Sequence, residues 1–476
     1  MVVTTTYDRR PTTVFPMTKR IDFEQNSEKA LQNAPLQAAL RTAMVRFRAL
    51  RISAVEEIPD WQALRQHAHD TKAHALAHLD RYLEQLERQV TGAGGVVHWA
   101  RDADEARNLI TRLAGSSGRR VVKSKSMTTE EIELNDALEH AGCEVTETDL
   151  GEYLVQLAGE RPAHIIAPVV HKSKEAIAAL LSEKLGVPRY DDAQELTRVA
   201  REALRRKFLE ADVGISGVNF AVAETGTIVV VENEGNARLA TTLPRMHIAV
   251  MGIEKVIPRL ADLDVFLTLL PRSATGQRMS SYVSFLTGPR RAGEADGPQE
   301  LHLVLLDNGR TAIHADSSMR ESLACIRCGA CLNVCPVFER TAGHAYGSEY
   351  SGPIGAVLTP LFEGLDVAGD LPFASSLCGA CGEVCPVKIE LPRLLLELRS
   401  RVVRQRGAPV AERLFVWGWV NAMKSARRLA IAGKVARVVQ RFMSAVHLPL
   451  PYPFSRWSAS RELPTPPAKA FRERTL

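Results

Sequence analysis

Two short runs of cysteines constrain this chain more than any other feature. The first run occupies residues 325–336 and has the spacing C-x2-C-x2-C-x3-C-P. Bacterial ferredoxins carry this spacing in the segment that binds a [4Fe–4S] cluster. The second run, Cys378-Gly-Ala-Cys381-Gly-Glu-Val-Cys385-Pro386, is a shorter copy. Thiolates that lie two residues apart on a tight loop can reach neighbouring corners of one cluster, so the chain is predicted to fold around iron–sulfur clusters.

The two runs supply seven cysteines for two predicted [4Fe–4S] clusters. In two-cluster ferredoxins the last cysteine of each run binds the other cluster. We therefore assign Cys325, Cys328, Cys331 and Cys385 to cluster 1, and Cys335, Cys378 and Cys381 to cluster 2. Ser375 stands where the second run would have its first cysteine. The fourth ligand of cluster 2 is left open between Ser375, water, a partner's side chain and no ligand, as in a [3Fe–4S] centre.

Other uses of cysteine fit this pattern less well. Disulfide-rich secreted domains spread their cysteines along the chain, whereas seven of the eight here are packed into two short runs. A four-cysteine zinc ribbon would show two C-x2-C pairs without the third cysteine of the first run. The eighth cysteine, Cys143, is expected to be a small buried side chain.

Length and charge set broad limits on the class of protein. A chain of 476 residues predicts two to four domains. It has no run of 18 apolar residues, so we expect no membrane-spanning helix, and residues 1–20 lack the apolar segment of a secretory signal. The net charge of +5 does not by itself suggest a nucleic-acid partner. We expect a cytoplasmic protein, because cluster thiolates must stay reduced.

The order of predicted elements divides the chain into four parts. Residues 1–90 form an arm followed by helices, 91–307 an α/β domain, 308–403 an α-helical dicluster module and 404–476 a basic helical extension. In the second part, strands alternate with helices, which indicates a mainly parallel sheet covered on both faces. Single helices are predicted over 61–90, in the first part, and over 129–141, in the second, and a strand is predicted over 164–168.

A ligand crevice is predicted at the carboxyl ends of the strands of the α/β domain. Lys123 and Lys125 precede Thr128, which with Glu131 matches the capping-box pattern of a helix start. A helix start beside two cations attracts a carboxylate or a phosphate. The same crevice is predicted to include Glu224, Glu234, Asn236 and Arg238. The alternative is an ordinary capped helix with solvated lysines, together with turns that bind nothing.

Catalytic residues cannot be assigned from the pattern. His171 and His247 are predicted to be structural partners, because no carboxylate or nucleophile close in sequence marks either as an acid or base. No G-x-G-x-x-G motif follows a strand, so hydride chemistry within this chain is not expected.

The C-terminal extension carries the positive charge of the chain. Residues 393–441 contain twelve Lys or Arg and two Glu. The apolar segment 414–420 lies among these cations. We expect residues 404–441 either to contact an anionic membrane surface or a partner, or to pack their aromatic side chains on the dicluster module. The Pro-rich end, 448–467, is expected to be extended.

The cysteine runs and the segments 123–133, 223–227 and 233–236 together resemble the lactate utilization protein B family. The resemblance implies an N-terminal LUD domain of NagB/RpiA/CoA-transferase-like topology, a dicluster ferredoxin module and a C-terminal extension. It also implies an electron-transfer subunit of a system that oxidises L-lactate to pyruvate, as its non-flavin component. The implied partners are a cysteine-rich iron–sulfur subunit, a second LUD-domain protein and a respiratory-chain electron acceptor.

Two other functions are kept as alternatives. In one, the LUD domain is itself a catalyst that acts on a CoA or folate-type substrate, and the clusters are structural. In the other, the chain carries electrons for a dehydrogenase of another 2-hydroxy acid.

Overall fold

The structure is a computed structural model that describes residues 20–115, 117–407, 410–445 and 461. The chain divides into two compact units, residues 1–399 and 400–476, which are described separately. Most of the predicted N-terminal arm, and the Pro-rich end apart from Arg461, lie outside the described residues. The four-part domain division stays a prediction.

The first unit begins with four helices, α1 Phe23–Gln32, α2 Ala34–Glu56, α3 Trp61–Ala77 and α4 Leu79–Gly92. Asp22 and Asn33 cap α1 and α2 by accepting hydrogen bonds from backbone N–H groups of the first turn. The prediction of one helix over 61–90 is wrong, because the chain breaks at His78. The break lets Leu76 and Leu79 enter two different hydrophobic cores.

The strands of the first unit are β1 Val96–Ala100, β2 Arg120–Lys123, β3 Glu144–Glu147, β4 Val213–Gly217, β5 Phe220–Val222, β6 Thr227–Glu232, β7 Met246–Gly252, β8 Val256–Ile257, β9 Tyr282–Leu286 and β10 Glu300–Leu306. Six of them form a wholly parallel sheet in the order β1-β10-β7-β4-β2-β3. The other four form a second sheet in the order β8-β5-β6-β9. The predicted parallel α/β architecture is confirmed.

Helices cover both faces of the six-stranded sheet. The helices of this part of the chain are α5 Ala103–Ala114, α6 Met127–Glu131, α7 Leu134–His140, α8 Leu150–Ala158, α9 Lys174–Leu185, α10 Ala193–Leu209, α11 Asn236–Thr242, α12 Leu263–Ala274 and α13 Arg310–Ala315. Of these, α9 packs on α8 and α10, and α12 packs on α2 and α3. Successive side chains of β10 point to opposite faces, so Leu303 and Leu305 pack with α4 while Val304 packs with α5 and α7. Because both faces are buried, the central strands β7 and β10 are mostly apolar.

Two further predictions of secondary structure are wrong. The predicted helix 129–141 is divided into α6 and α7 by Glu133, which has a left-handed backbone (φ 48°). The predicted strand 164–168 is a loop, because the buried ring of His164 accepts hydrogen bonds from the N–H groups of Ile166 and Ala167 at 3.1 and 3.3 Å. A local side-chain acceptor here replaces a strand partner.

The cysteine runs lie in a helical segment that follows β10. After the 3-10 turn Arg320–Ala324 come α14 Ala330–Asn333, α15 Phe338–Thr341, α16 Gly352–Glu363, α17 Leu365–Ala368, α18 Ala380–Val384 and α19 Leu391–Arg406. Most of α16 is buried, so the Gly- and Pro-rich segment between the two runs is a core element.

The second unit contains α20 Val410–Met423 and α21 Ala426–Ala445. Large apolar side chains of α20 are exposed, among them Leu414, Trp417 and Trp419. No helix of the described part of the chain is both long and apolar enough to cross a bilayer.

Candidate functional site

The structure brings the seven cysteines of the two runs together in two groups. Cys325, Cys328, Cys331 and Cys385 line one small cavity. In the second group, burial raises the pKa of Cys335 and of Cys381, and the nearby Cys378 adds to both shifts. Cys381 also contributes to the raised pKa of Cys331, so the two groups adjoin. The assignment of the two groups to two clusters stays a prediction.

The two runs repeat one backbone conformation. The residues before Cys328 and Cys378 are Arg327 and Leu377, with φ of 60° and 55°, and the residues after them are glycines with φ of 74° and 90°. A left-handed conformation is uncommon for arginine and leucine. Its recurrence at matching positions shows that the second run is a structural copy of the first.

The donor atoms fit iron–sulfur clusters. Backbone N–H groups donate to three sulfurs, from Arg327 to Cys325 at 3.4 Å, from Phe338 to Cys335 at 3.5 Å and from Ile389 to Cys385 at 3.3 Å. All eight cysteines are free of disulfides. Burial raises the pKa of Cys385 to about 12, so a thiolate at this position needs the charge of a bound metal.

A cluster differs from a single bound ion in the spacing that it requires. No three His, Cys, Asp or Glu side chains in the described ranges converge closely enough for one metal ion. A four-iron cluster gives each cysteine its own iron, so it does not require such convergence.

Side chains from outside the two runs hold the cysteine loops in place. Arg65 of α3 is buried and donates two hydrogen bonds to the carbonyl oxygen of Cys385, at 2.9 and 2.7 Å. Asn333 donates to the carbonyl oxygen of Ala274 at 2.9 Å, and its own side-chain oxygen lies 3.1 Å from His164 Nε2. The cluster module therefore packs as part of the first unit.

A lysine–glutamate network lies under the carboxyl end of β2. Lys123 is fully buried and contacts Glu130 at 2.9 Å and Glu147 at 2.6 Å. Lys125 pairs with the buried Glu152. Burial raises the pKa of Glu147 to about 7 despite the attraction of Lys123, because Glu130 and Glu152 add like charge. We define these five side chains as the lysine network.

A second buried network centres on Arg310. Its guanidinium contacts both oxygens of Glu131 at 2.8 Å and Glu254 at 2.6 Å. Arg327 contacts the other oxygen of Glu254 at 3.3 Å, and Lys72 donates to the backbone oxygen of Glu254. Burial alone would raise the pKa of Glu254, but Arg310 and Arg327 lower it to about 2. We call these five residues the arginine network.

A cavity of about 290 Å³ opens at the carboxyl ends of the parallel strands. Lys125 follows β2, Asp149 follows β3, Asn219 follows β4 and Lys255 follows β7, and all four line the cavity. Arg327, from the first cysteine run, also lines it. The cavity therefore joins the strand ends of the α/β domain to the loop that carries Cys325 and Cys328.

The cavity contains only part of the predicted crevice. Lys125, Thr128, Glu234 and Asn236 line it. Lys123 does not, because it is enclosed in the lysine network, and neither does Arg238. Glu224 lies elsewhere and accepts the N–H of Leu260 at 2.9 Å. These three residues are thus not brought to the cavity.

The predicted capping box is also wrong. Ser126, not Thr128, caps α6 by accepting the N–H of Thr129, and Thr128 lies inside the helix. Glu131 is turned away to Arg310. With five residues, α6 is too short to act as an anion site through its N-terminus.

Sequence reasoning missed Glu254, Lys255, Arg310 and Arg327. Glu254 and Lys255 follow the carboxyl end of β7 closely. Open α/β sheets bind ligands at such strand ends, so this position is a signal by which the two residues could be identified. Arg327 lies between two predicted cluster ligands, and its place in the run gives no sign of a second role. Arg310 follows the last strand, beyond the predicted end of the α/β domain.

The histidines have local partners. His171 Nε2 lies 2.7 Å from Glu160, and the buried His247 Nε2 lies 2.8 Å from Ser216 Oγ. Burial lowers the pKa of His247 to about 3, so it is neutral at physiological pH. Cys143 is buried, as predicted.

Comparison with known proteins was made over the whole chain. It is 45% identical to lactate utilization protein B of Bacillus velezensis, over 95% of this chain and 96% of that protein. It is 47% identical to the protein of the same name from Shouchella clausii, over 95% and 96%, and 44% identical to that of Bacillus subtilis, over 95% of each. The chain belongs to the lactate utilization protein B family.

Two domain families match separate parts of the chain. Residues 83–306 match the LUD domain, and residues 321–389 match the 4Fe-4S dicluster domain. The second match indicates iron–sulfur clusters. The predicted combination of a LUD domain, a later ferredoxin-type domain and a helical C-terminal region is confirmed.

One solved structure also resembles this member of the lactate utilization protein B family. It is a DUF162 family protein from Deinococcus radiodurans, 14% identical, covering 48% of this chain and 98% of that protein. The TM-score is 0.27, so no argument is based on it.

Proposed function

We propose that the chain is an iron–sulfur electron carrier in lactate utilization. The names of its relatives connect the family with lactate, and the dicluster match supplies the redox group. The observation that supports the proposal most is the division of seven thiols from two structurally repeated runs into two adjoining groups. Each bound cluster would supply one-electron transfer.

The ligand sets follow from this division. Cys325, Cys328, Cys331 and Cys385 would hold cluster 1, and Cys335, Cys378 and Cys381 would hold cluster 2. Ser375 Oγ accepts the N–H of Leu377 at 3.1 Å in the second loop, and it remains one of the candidate fourth ligands.

Exposure distinguishes the two groups. Cys378 of the second group is exposed and Cys325 of the first is partly exposed, whereas the other five cysteines of the runs are buried. The second group therefore reaches the surface, where a redox partner could approach. Such partners would be a cysteine-rich iron–sulfur subunit, a second LUD-domain protein and an acceptor of the respiratory chain, with L-lactate oxidised to pyruvate in the complex.

Cysteine substitutions test the ligand assignment. Protein would be purified anaerobically as wild type, Cys385→Ser and Cys378→Ser, with Cys143→Ser as the matched control. We expect each substitution in a run to remove or alter a different EPR signal and to lower the iron content, and Cys143→Ser to change neither. Colourless wild-type protein, or zinc in place of iron, would refute the assignment.

A second measurement tests the link to lactate. L-lactate is added to the oxidised full-length protein with and without the proposed partner proteins, and EPR follows the reduction of the clusters. Reduction that requires both lactate and the partners supports the proposal. Reduction by a different 2-hydroxy acid, but not by lactate, contradicts it.

A further inference from the structure

The cavity at the strand ends has a cationic wall. Arg327 and Lys255 both line it and are 9% and 7% exposed. The surrounding structure fixes the backbone of both residues, because Arg327 lies within the first cysteine run and Lys255 directly follows Glu254 of the arginine network. The two cations therefore keep their positions whether or not a ligand is bound.

The guanidinium of Arg327 has an unused donor. Its Nη2 contacts Glu254 at 3.3 Å, and its centre lies 4.9 Å above the ring of Tyr350. Its Nη1 is buried and has no hydrogen-bond partner among the described residues. A buried donor without a partner is costly, so an acceptor is expected next to it.

Lys255 presents a second unmatched cation. Its amine makes no hydrogen bond or ion pair with any residue that the structure describes, although the side chain is almost fully buried. Burial and the nearby Arg327 lower the pKa of Lys255 to about 7, although Glu254 and Cys325 favour its charged form. Lys255 and Arg327 thus line one cavity, and Nη1 of Arg327 has no acceptor among the described residues.

The charge balance around the arginine network points in the same direction. Lys72, Lys255, Arg310 and Arg327 are four buried basic groups beside two buried carboxylates, Glu131 and Glu254, although burial lowers the pKa of Lys72 to about 8 and that of Lys255 to about 7. Cys325, a proposed ligand of cluster 1, interacts with Arg327 and Lys255, so the bound cluster would offset part of this charge. Nη1 of Arg327 and the amine of Lys255 remain for an anion in the cavity.

We propose that this cavity binds a small monocarboxylate, whose carboxylate group pairs with Arg327 and Lys255. A planar guanidinium matches the geometry of a carboxylate. The cavity is also lined by Asp149, Glu232 and Glu234, which would repel a second negative charge. A hydroxyl or keto substituent fits this acidic side better than a second carboxylate or a phosphate does.

The proposal places ligand binding next to cluster 1. Arg327 lies two residues after Cys325 and one before Cys328. An anion bound to its guanidinium therefore changes the charge beside the cysteines of cluster 1. The choice of lactate as ligand rests on the function proposed above, but the prediction of carboxylate binding does not.

Calorimetry on anaerobically purified full-length protein tests the proposal. The probes are L-lactate and pyruvate, with malonate and inorganic phosphate as dianionic controls. We expect saturable binding of the monocarboxylates only. Lys255→Met should weaken it at least about tenfold, because a charge-assisted hydrogen bond is lost. The exposed Lys184→Met is the matched control and should bind like the wild type.

The EPR spectrum provides an independent readout. Cys385→Ser is expected to remove one EPR signal, and lactate should shift this same signal in the reduced wild-type protein. The same concentration of lactate should leave the spectrum of Lys255→Met unchanged. Iron and sulfide contents must be equal in both proteins. Full cluster content without binding, or binding unaffected by Lys255→Met, would overturn this inference and leave the electron-carrier proposal intact. Missing clusters would refute the carrier proposal instead.

Discussion

The two buried charge networks of the α/β domain differ in the sign of their excess charge. The lysine network contains three carboxylates and two lysines, whereas the arginine network, with Lys255, contains four cations and two carboxylates. The first can neutralise itself, because Glu147 takes up a proton with a pKa of about 7. The excess of the second network lies in Lys72 and Lys255, because Arg310 and Arg327 are matched by Glu131 and Glu254. Burial lowers the pKa of Lys72 to about 8 and that of Lys255 to about 7, and an anion in the cavity would favour the charged form of Lys255. The first network reaches the cavity through Lys125, and the second through Arg327 and Lys255.

The largest expected effect follows removal of the central arginine. Arg310→Met leaves Glu131 and Glu254 buried without their main partner, so we expect a loss of about 3–5 kcal/mol in the free energy of unfolding. Urea unfolding of anaerobic protein measures it. The control, Arg278→Met, breaks an exposed pair with Glu57 and should cost about 0–1 kcal/mol. Equal losses for the two variants would refute the distinction between a buried network and a surface pair.

The carboxylates of the two networks should respond with opposite signs. Arginine partners lower the pKa of Glu254 from its usual 4.5 to about 2, which stabilises the fold above pH 4.5, and this stability is lost as pH falls towards 2. Glu254→Gln should therefore cost about 3 kcal/mol at pH 7.5.

Glu147 has a pKa raised to about 7, so its ionised form destabilises the fold as pH rises from 4.5 through 7. Glu147→Gln should leave stability unchanged or increase it at pH 7.5, as measured by the same urea unfolding. If both substitutions destabilise equally, the two networks do not differ as described.

The smallest effect concerns His247, which belongs to neither network. Its ring faces Ser216 and His302, and burial lowers its pKa from 6.5 to about 3. The unfolded chain takes up a proton below pH 6.5 that the folded chain does not. Stability should therefore fall by about 1.4 kcal/mol between pH 7.5 and 5.5 through this residue. His247→Gln should remove that part of the pH dependence, and the exposed His140→Gln should retain it.

The parts of the molecule that sequence reasoning predicted well are those with short-range patterns. The cysteine spacing and the alternation of strands and helices each depend on residues close together in the chain, so the dicluster module and the parallel sheet could be predicted. The break at His78 could not, since it depends on which core each half of the helix meets.

The candidate ligand site was predicted in the right place but with an incomplete set of residues. Lys125, Glu234 and Asn236 follow strand ends that the pattern revealed. Lys123 was misjudged because its burial depends on Glu147, a residue on the neighbouring strand. Arg327 and Lys255 come to line one cavity only when the cysteine run folds back on the sheet, across 72 residues of sequence, and no local pattern indicates that arrangement.

Helix α6 has two adjacent glutamates that point into different networks, Glu130 to Lys123 and Glu131 to Arg310. A single helical turn is thus anchored on opposite sides, and Met127 and Thr128 of the same turn line the cavity. This part of the cavity wall is consequently preorganised, and a ligand that enters it would spend little of its binding free energy on ordering the wall.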